Sequence, residues 1–90
     1  MAWTIEFEPP AVKELKKLDA QTRTRILKFL HERIAPLENP RDIGEALQGK
    51  RLGAYWKYRV GDWRVIASIE DEIVCIVVVQ VGNRREVYRS

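Results

Sequence analysis

The chain has one cysteine, Cys75, and one histidine, His31. A single cysteine excludes an intramolecular disulfide. Cys75 lies inside an apolar run, where a thiol behaves as a small core residue, and nothing points to an oxidising compartment. A single histidine excludes a catalytic pair of histidines, and His31 reads as a helix-surface or partly buried residue. No group of His, Cys, Asp and Glu has metal-ligand spacing, and there is no glycine-rich phosphate loop. No metal and no cofactor are therefore expected. The longest apolar run, Ile73 to Val79, is far too short to span a bilayer. The opening Met-Ala-Trp-Thr-Ile-Glu-Phe-Glu has no basic segment followed by an apolar stretch. No leader is expected, and the cytoplasm is the expected location.

What is present is ordinary for a folded domain. The 90 residues are 46% hydrophobic and 32% charged, which predicts a single domain over 1–90. The net charge of +3 and pI of about 9.2 are mildly basic. That balance permits a nucleic-acid partner or an acidic protein partner without demanding either.

Trp3, Ile5 and Phe7 alternate with Thr4, Glu6 and Glu8, the period of a strand. Pro9-Pro10 ends it and suits a first helical turn. Val12, Leu15 and Leu18 then recur at helical spacing, with Lys13, Glu14, Lys16 and Lys17 between them. Asp19 is a candidate N-cap for a second helix. Its apolar face would be Ile26, Phe29, Leu30, Ile34 and Leu37, and Pro36 and Asn39-Pro40 stop it. Residues Glu38 to Gly53 read as a loop with a helical turn near Glu45 to Leu47. Tyr55 to Val60 and Trp63 to Ile69 flank Gly61-Asp62, a two-residue hairpin signal. Glu70-Asp71-Glu72 reads as a solvated turn. Ile73 to Val81 reads as a central strand buried on both faces and ended by Gly82. The expected fold is α+β, β-α-α-β-β-β, a helical hairpin packed on a mainly antiparallel four-stranded sheet.

The hairpin carries the candidate chemistry. With Gly61-Asp62 as the loop, Val60 pairs with Trp63 and Arg59 lies opposite Arg64. Side chains alternate along a strand, so Tyr55, Lys57 and Arg59 share one face, and Lys57, Arg59 and Arg64 crowd together on it. Like charges across a strand pair are destabilising. With no carboxylate in the stretch except loop residue Asp62, either a bound anion compensates, which the stretch favours, or the side chains splay into solvent. Arg84 and Arg85 leave the sheet at the end of the buried strand, and Tyr88 follows. Lys13, Lys16 and Lys17 read as a solvated face or as part of a phosphate-binding surface.

The run Tyr58-Arg59-Val60-Gly61-Asp62-Trp63-Arg64-Val65-Ile66 resembles the central hairpin of the RelE/ParE toxin superfamily. The ending Val81-Gly82-Asn83-Arg84-Arg85-Glu86-Val87-Tyr88 is similar too, as is the opening strand followed by Leu15-Lys16-Lys17-Leu18. The match looks closer to RelE than to ParE. It implies the toxin of a type II toxin–antitoxin pair that cuts messenger RNA on the ribosome. A RelB-like antitoxin would hold it silent, and operator DNA would be met only through the complex. Residue by residue, the resemblance makes Lys57, Arg64, Arg84 and Tyr88 catalytic, and it places Arg59 beside them. Arg59, Arg85, Lys13, Lys16 and Lys17 are assigned to RNA binding. Tyr55 stands where the best-known member has a second lysine, so no lysine role carries over there.

Metal-free RNA cleavage uses the RNA's own 2′-hydroxyl as nucleophile. It needs a base, positive charge at the crowded phosphate, and a proton for the leaving oxygen. Arg64 and Arg84 suit the charge task, and either Lys57 or Tyr88 suits the base. Two other readings share the fold: a ParE-type toxin directed at DNA gyrase, and a catalytically silent module that binds antitoxin or RNA.

Overall fold

The alternation at the N-terminus becomes strand β1 (Thr4–Phe7), with Ile5 and Phe7 turned inward. The computed structural model describes residues 2–47 and 55–83. Helix α1 (Pro9–Lys17) opens on its two prolines and buries Ala11 and Leu15, while Lys16 and Lys17 occupy its last turn, where the helix dipole favours cations. Helix α2 (Ala20–Lys28) is capped by Asp19, whose carboxylate accepts from the Thr22 N–H at 3.3 Å and the Thr22 hydroxyl at 2.6 Å. Those bonds hold the Asp19 carboxyl below its usual range.

The second helix continues through a wider turn, Phe29–Ile34, closed by the Ala35 N–H donating to the Leu30 carbonyl at 2.9 Å. Its buried side chains, Ile26, Leu30 and Ile34, are four residues apart. A strict four-residue repeat drifts about 40° per step around an α-helix. The wider turn brings that repeat back toward one line, so all three reach the core.

Five strands form one sheet in the order β1-β5-β4-β3-β2, where β2 is Glu45–Ala46, β3 Tyr55–Val60, β4 Trp63–Glu70 and β5 Cys75–Asn83. β1 runs parallel to β5 and the other pairs are antiparallel. The expected four strands thus become five, because a short strand replaces the expected helical turn at Glu45–Leu47. Gly44 explains the change. Its φ of +85° turns the chain, and a Cβ there would meet the Lys57 carbonyl. The Trp56 indole N–H then ties the loop down by donating to the Ile43 carbonyl at 2.7 Å.

Both helices cover one face. Ala11, Leu15, Ile26, Leu30 and Ile34 pack on Tyr58, Val65, Ile76, Val78 and Val81. Tyr58 is fully buried, sits edge-on to Phe29 at 6.2 Å, and donates its hydroxyl to the Pro40 carbonyl at 2.6 Å. Burial pushes the Tyr58 phenol well above its ordinary value. Burial also raises the Cys75 thiol, with the nearby Glu6 carboxylate adding to the effect. The cysteine is therefore a core side chain rather than a nucleophile.

The last strand departs from expectation at both ends. Ile73 is not in it: this residue is 68% exposed in the turn Asp71–Ile73. Gln80 is exposed as well. Gly82 does not end the strand, which runs on to Asn83 with Gly82 paired opposite Arg64. Val79 is an extra residue between the pairs Ile66↔Gln80 and Ala67↔Val78, a bulge that bends β5. The turn itself carries a structural ion pair absent from the sequence reading. Arg41 grips Asp71 with two bonds of 3.0 and 2.9 Å, which holds the Asp71 carboxyl below its usual range.

Val74 closes that turn at a φ of +50°, in the left-handed region that β-branched residues avoid. Val74→Asn is expected to stabilise the protein by about 0.5–1 kcal/mol, since αL geometry costs most residues roughly 1–2 kcal/mol and the half-buried valine gives up some packing. A urea titration monitored by tryptophan fluorescence reads the change. A lower midpoint would show that packing outweighs strain here.

Candidate functional site

The helix-free face of the sheet collects the charge. Its β3 and β4 registers are Lys57↔Ile66 and Arg59↔Arg64. Side chains of paired residues point the same way, so Lys57, Arg59, Arg64 and Ile66 share that face, while Tyr58 and Val65 point to the helices. The two-residue turn at Gly61-Asp62 sets this register, with Gly61 at a φ of +62°.

Arg64 is the buried member, only 6% exposed. Its Nη1 donates to the Trp63 carbonyl at 3.2 Å and the Gly61 carbonyl at 3.4 Å, so the hairpin tip fixes the guanidinium. No other hydrogen bond to Arg64 is formed among the described residues, which leaves Nε and Nη2 as available donors. Gly82, paired with Arg64, contributes no side chain to the face beside it. Arg59 is exposed.

Lys57 is different. Its side chain is 16% exposed, and Nζ lies 3.3 Å from Glu45 Oε1, a residue of β2 paired directly with it. A carboxylate does compensate part of this face, where the sequence favours a bound anion. Sequence reasoning missed Glu45 because its strand is two residues long and shows no alternation. The one available signal was Gly44, a residue suited to turning the chain back.

The remaining predicted residues divide. Lys13 and Lys17 line a hollow of about 460 Å³ against Val79 to Gly82, where β5 runs on past the end of β1. They therefore approach the β5 segment that neighbours Arg64. Lys16 does not join them. It lines an apolar hollow with Phe7, Pro9 and Val12. Arg84, Arg85 and Tyr88 lie outside the described residues. The chain leaves β5 at Asn83, opposite Trp63 and one pair beyond Arg64.

The arrangement is a sheet face with a fixed guanidinium, a second arginine across from it and a lysine two residues along. Guanidinium is suited to gripping phosphate oxygens in a fork. The chain belongs to the ParE toxin family of type II toxin–antitoxin systems, whose family model matches residues 5–88. Within it, the chain is similar to the mRNA interferase toxin RelE of Escherichia coli strain K12, 34% identical over 90 residues that span 98% of this chain and 92% of that protein. The fold is similar to that of a mutant E. coli RelE in the free state, with a TM-score of 0.76, 32% identity and coverage of 98% and 92% of the two chains. It is also similar to a chain of the intact E. coli RelBE toxin–antitoxin complex, with a TM-score of 0.69, 26% identity and coverage of 91% and 96%. Among the described residues, no helix is long and apolar enough to cross a membrane.

Proposed function

We propose that this toxin is an endoribonuclease that cleaves messenger RNA on the ribosome by 2′-hydroxyl attack, without a metal. One observation carries the reading: the cross-strand pair Arg59↔Arg64, with Arg64 buried and fixed and Lys57 beside it on the helix-free face. The likeness to a relative named mRNA interferase supports it.

In the proposed step the 2′-oxygen bonds to the adjacent phosphorus and the bond to the 5′-oxygen breaks. The products are a 2′,3′-cyclic phosphate and a 5′-hydroxyl. Arg64 and Arg84 stabilise the charge that builds on the phosphate. Lys57, its Nζ 3.3 Å from Glu45 Oε1, acts as a third cation. Tyr88, entering as the phenolate, takes the 2′-hydroxyl proton and passes it to the departing 5′-oxygen, which leaves the tyrosine as it began. Arg59, Arg85, Lys13 and Lys17 bind the RNA backbone, while Lys16, set in the apolar hollow beside Phe7, stands apart from them. A site with so few acid–base groups relies on a substrate already bent for in-line attack, which the ribosome supplies. The proposed partner is a RelB-like antitoxin, in keeping with the RelBE complex, and operator DNA is met only through it. The proposed location is the cytoplasm, where the messages are.

Induced expression followed by mapping of 5′ ends on a translated message tests the reading. Cuts within codons are expected, and an intact message would overturn it. The family description names ParE, so a gyrase supercoiling assay run alongside separates that target. Tyr88→Phe is expected to slow cleavage at least about tenfold, since a positioned acid–base group contributes roughly 10²–10⁴. An unchanged rate would remove Tyr88 from the chemistry. Glu45→Gln is expected to tighten RNA binding up to about fivefold, as an ion pair near the surface is worth roughly 0.2–1 kcal/mol. Weaker binding would show that Glu45 instead positions Lys57 for the RNA.

A further inference from the structure

A second basic surface lies on the other side of the hairpin. β2 pairs only with Trp56 and Lys57, so the outer edge of β3 from Tyr58 to Val60 carries no strand among the described residues. Between that edge and the end of α2 runs a groove of about 370 Å³. Arg25, Lys28, Arg33 and Arg59 line it, and Glu32 is the only carboxylate among its described lining residues. Asp62 stands nearby at the hairpin tip, in a neighbouring hollow that Arg25 also lines. All four cations are exposed, and none takes part in an ion pair or hydrogen bond among the described residues. The Arg25 guanidinium is laid over Gly61, with Nη1, Cζ and Nη2 only 3.2–3.4 Å from where a Cβ would stand.

Four like charges in one groove repel each other unless an anion answers them. The lone carboxylate does not balance them. Arg59 belongs both to this groove and to the face that holds Arg64. A polyanion crossing Arg64 and Arg59 therefore enters the groove without leaving positive ground.

We propose that Arg25, Lys28 and Arg33, with Arg59, form a phosphate track that holds the backbone of RNA beyond the cleavage site. The assignment rests on the RNA-cleaving reading of the site. Its partner is RNA rather than an acidic protein, because the track continues the phosphate-gripping face through a shared arginine. Arg25, Lys28 and Arg33 touch no reacting atom, so their role is binding.

The test uses the full chain with Arg25→Gln, Lys28→Gln and Arg33→Gln combined. Glutamine keeps helix propensity, and circular dichroism checks that the helices remain. Binding to a fluorescein-labelled 20-nucleotide single-stranded RNA is measured by anisotropy from low to high salt. Each phosphate contact on a single strand contributes a slope of about −0.7 in log K against log salt. The variant is expected to bind at least about tenfold more weakly at low salt, with a slope flattened by about 1.4, the share of two phosphates. An unchanged affinity and slope would overturn the track. So would equal losses for the RNA and for a labelled polyglutamate peptide, which would assign the groove to an acidic protein. Wild-type cleavage of a translated message is assayed in parallel. Cleavage with an unchanged slope in the variant sinks only the track. Absence of both cleavage and RNA binding in the wild type sinks the functional reading as well.

Discussion

Arg64→Ala is expected to abolish RNA cleavage and toxicity while the protein stays folded. The side chain lies on the helix-free face, outside the cluster that packs the helices on the sheet. Its two hydrogen bonds go to carbonyls at the hairpin tip, which water can reach once the guanidinium is gone. What is lost is a pre-positioned cation. Removing one donor to a developing charge typically lowers a rate about 10²–10³-fold. Arg64 adds full charge to that donation, so the residual activity falls below detection on a translated message. Arg84→Ala is expected to behave alike. Arg64→Lys keeps the charge and loses the fork, and should recover only a minor part of the rate. Wild-type cleavage by both alanine variants would sink the assignment of these arginines. Normal melting of each variant, read by circular dichroism, separates loss of chemistry from loss of structure.

Tyr58→Ala is expected to destabilise the fold by about 3–5 kcal/mol, the usual result of truncating a buried aromatic. A chain of this size has roughly 5–13 kcal/mol in all, so the variant should be partly unfolded at 37 °C and silent for that reason. Tyr58 is the side chain directly behind the charged face, between Lys57 and Arg59 on β3. Its ring packs on Phe29, and its hydroxyl holds the Pro40 loop. Tyr58→Phe keeps the ring and leaves the buried Pro40 carbonyl without its donor. A loss of about 1–3 kcal/mol follows. The phenol also shapes alkaline stability. Its folded-state pKa lies above the unfolded value of about 10. The folded state therefore holds this proton more tightly. The resulting stability is complete below pH 10 and is lost as pH rises from there toward the folded value. Tyr58→Phe should flatten that alkaline decline in a pH series of urea midpoints. An equally steep decline in the variant would show that other groups cause it.

Much of this was legible in the residues. The hairpin could be read to the residue, because Gly61-Asp62 fixes its turn and alternation fixes its faces. The Asp19 cap and the apolar line Ile26, Leu30, Ile34 were legible for the same reason: each is a local pattern. What escaped was long-range. A two-residue strand has no period, so β2 and the Glu45–Lys57 pair were invisible. Tyr58 could be placed inside, but its partner Pro40 lies on a loop that no pattern constrains. The bulge at Val79 hides within a run of valines whose register slips without any change in composition. Ile73 looked like the start of that run because apolarity alone does not separate a strand from the turn before it.

The parallel pairing of β1 with β5 joins the first and last strands among the described residues and makes a late-synthesised strand the one on which the sheet closes. While the protein is being translated, its first strand has nothing to dock on, and the hairpin with Arg64 lacks the neighbour that carries Gly82. Such distant pairing is slow to form. A nascent copy thus lacks its assembled charged face until β5 has emerged. On the proposed RNA-cleaving reading, that delay gives a newly made antitoxin time to meet its target.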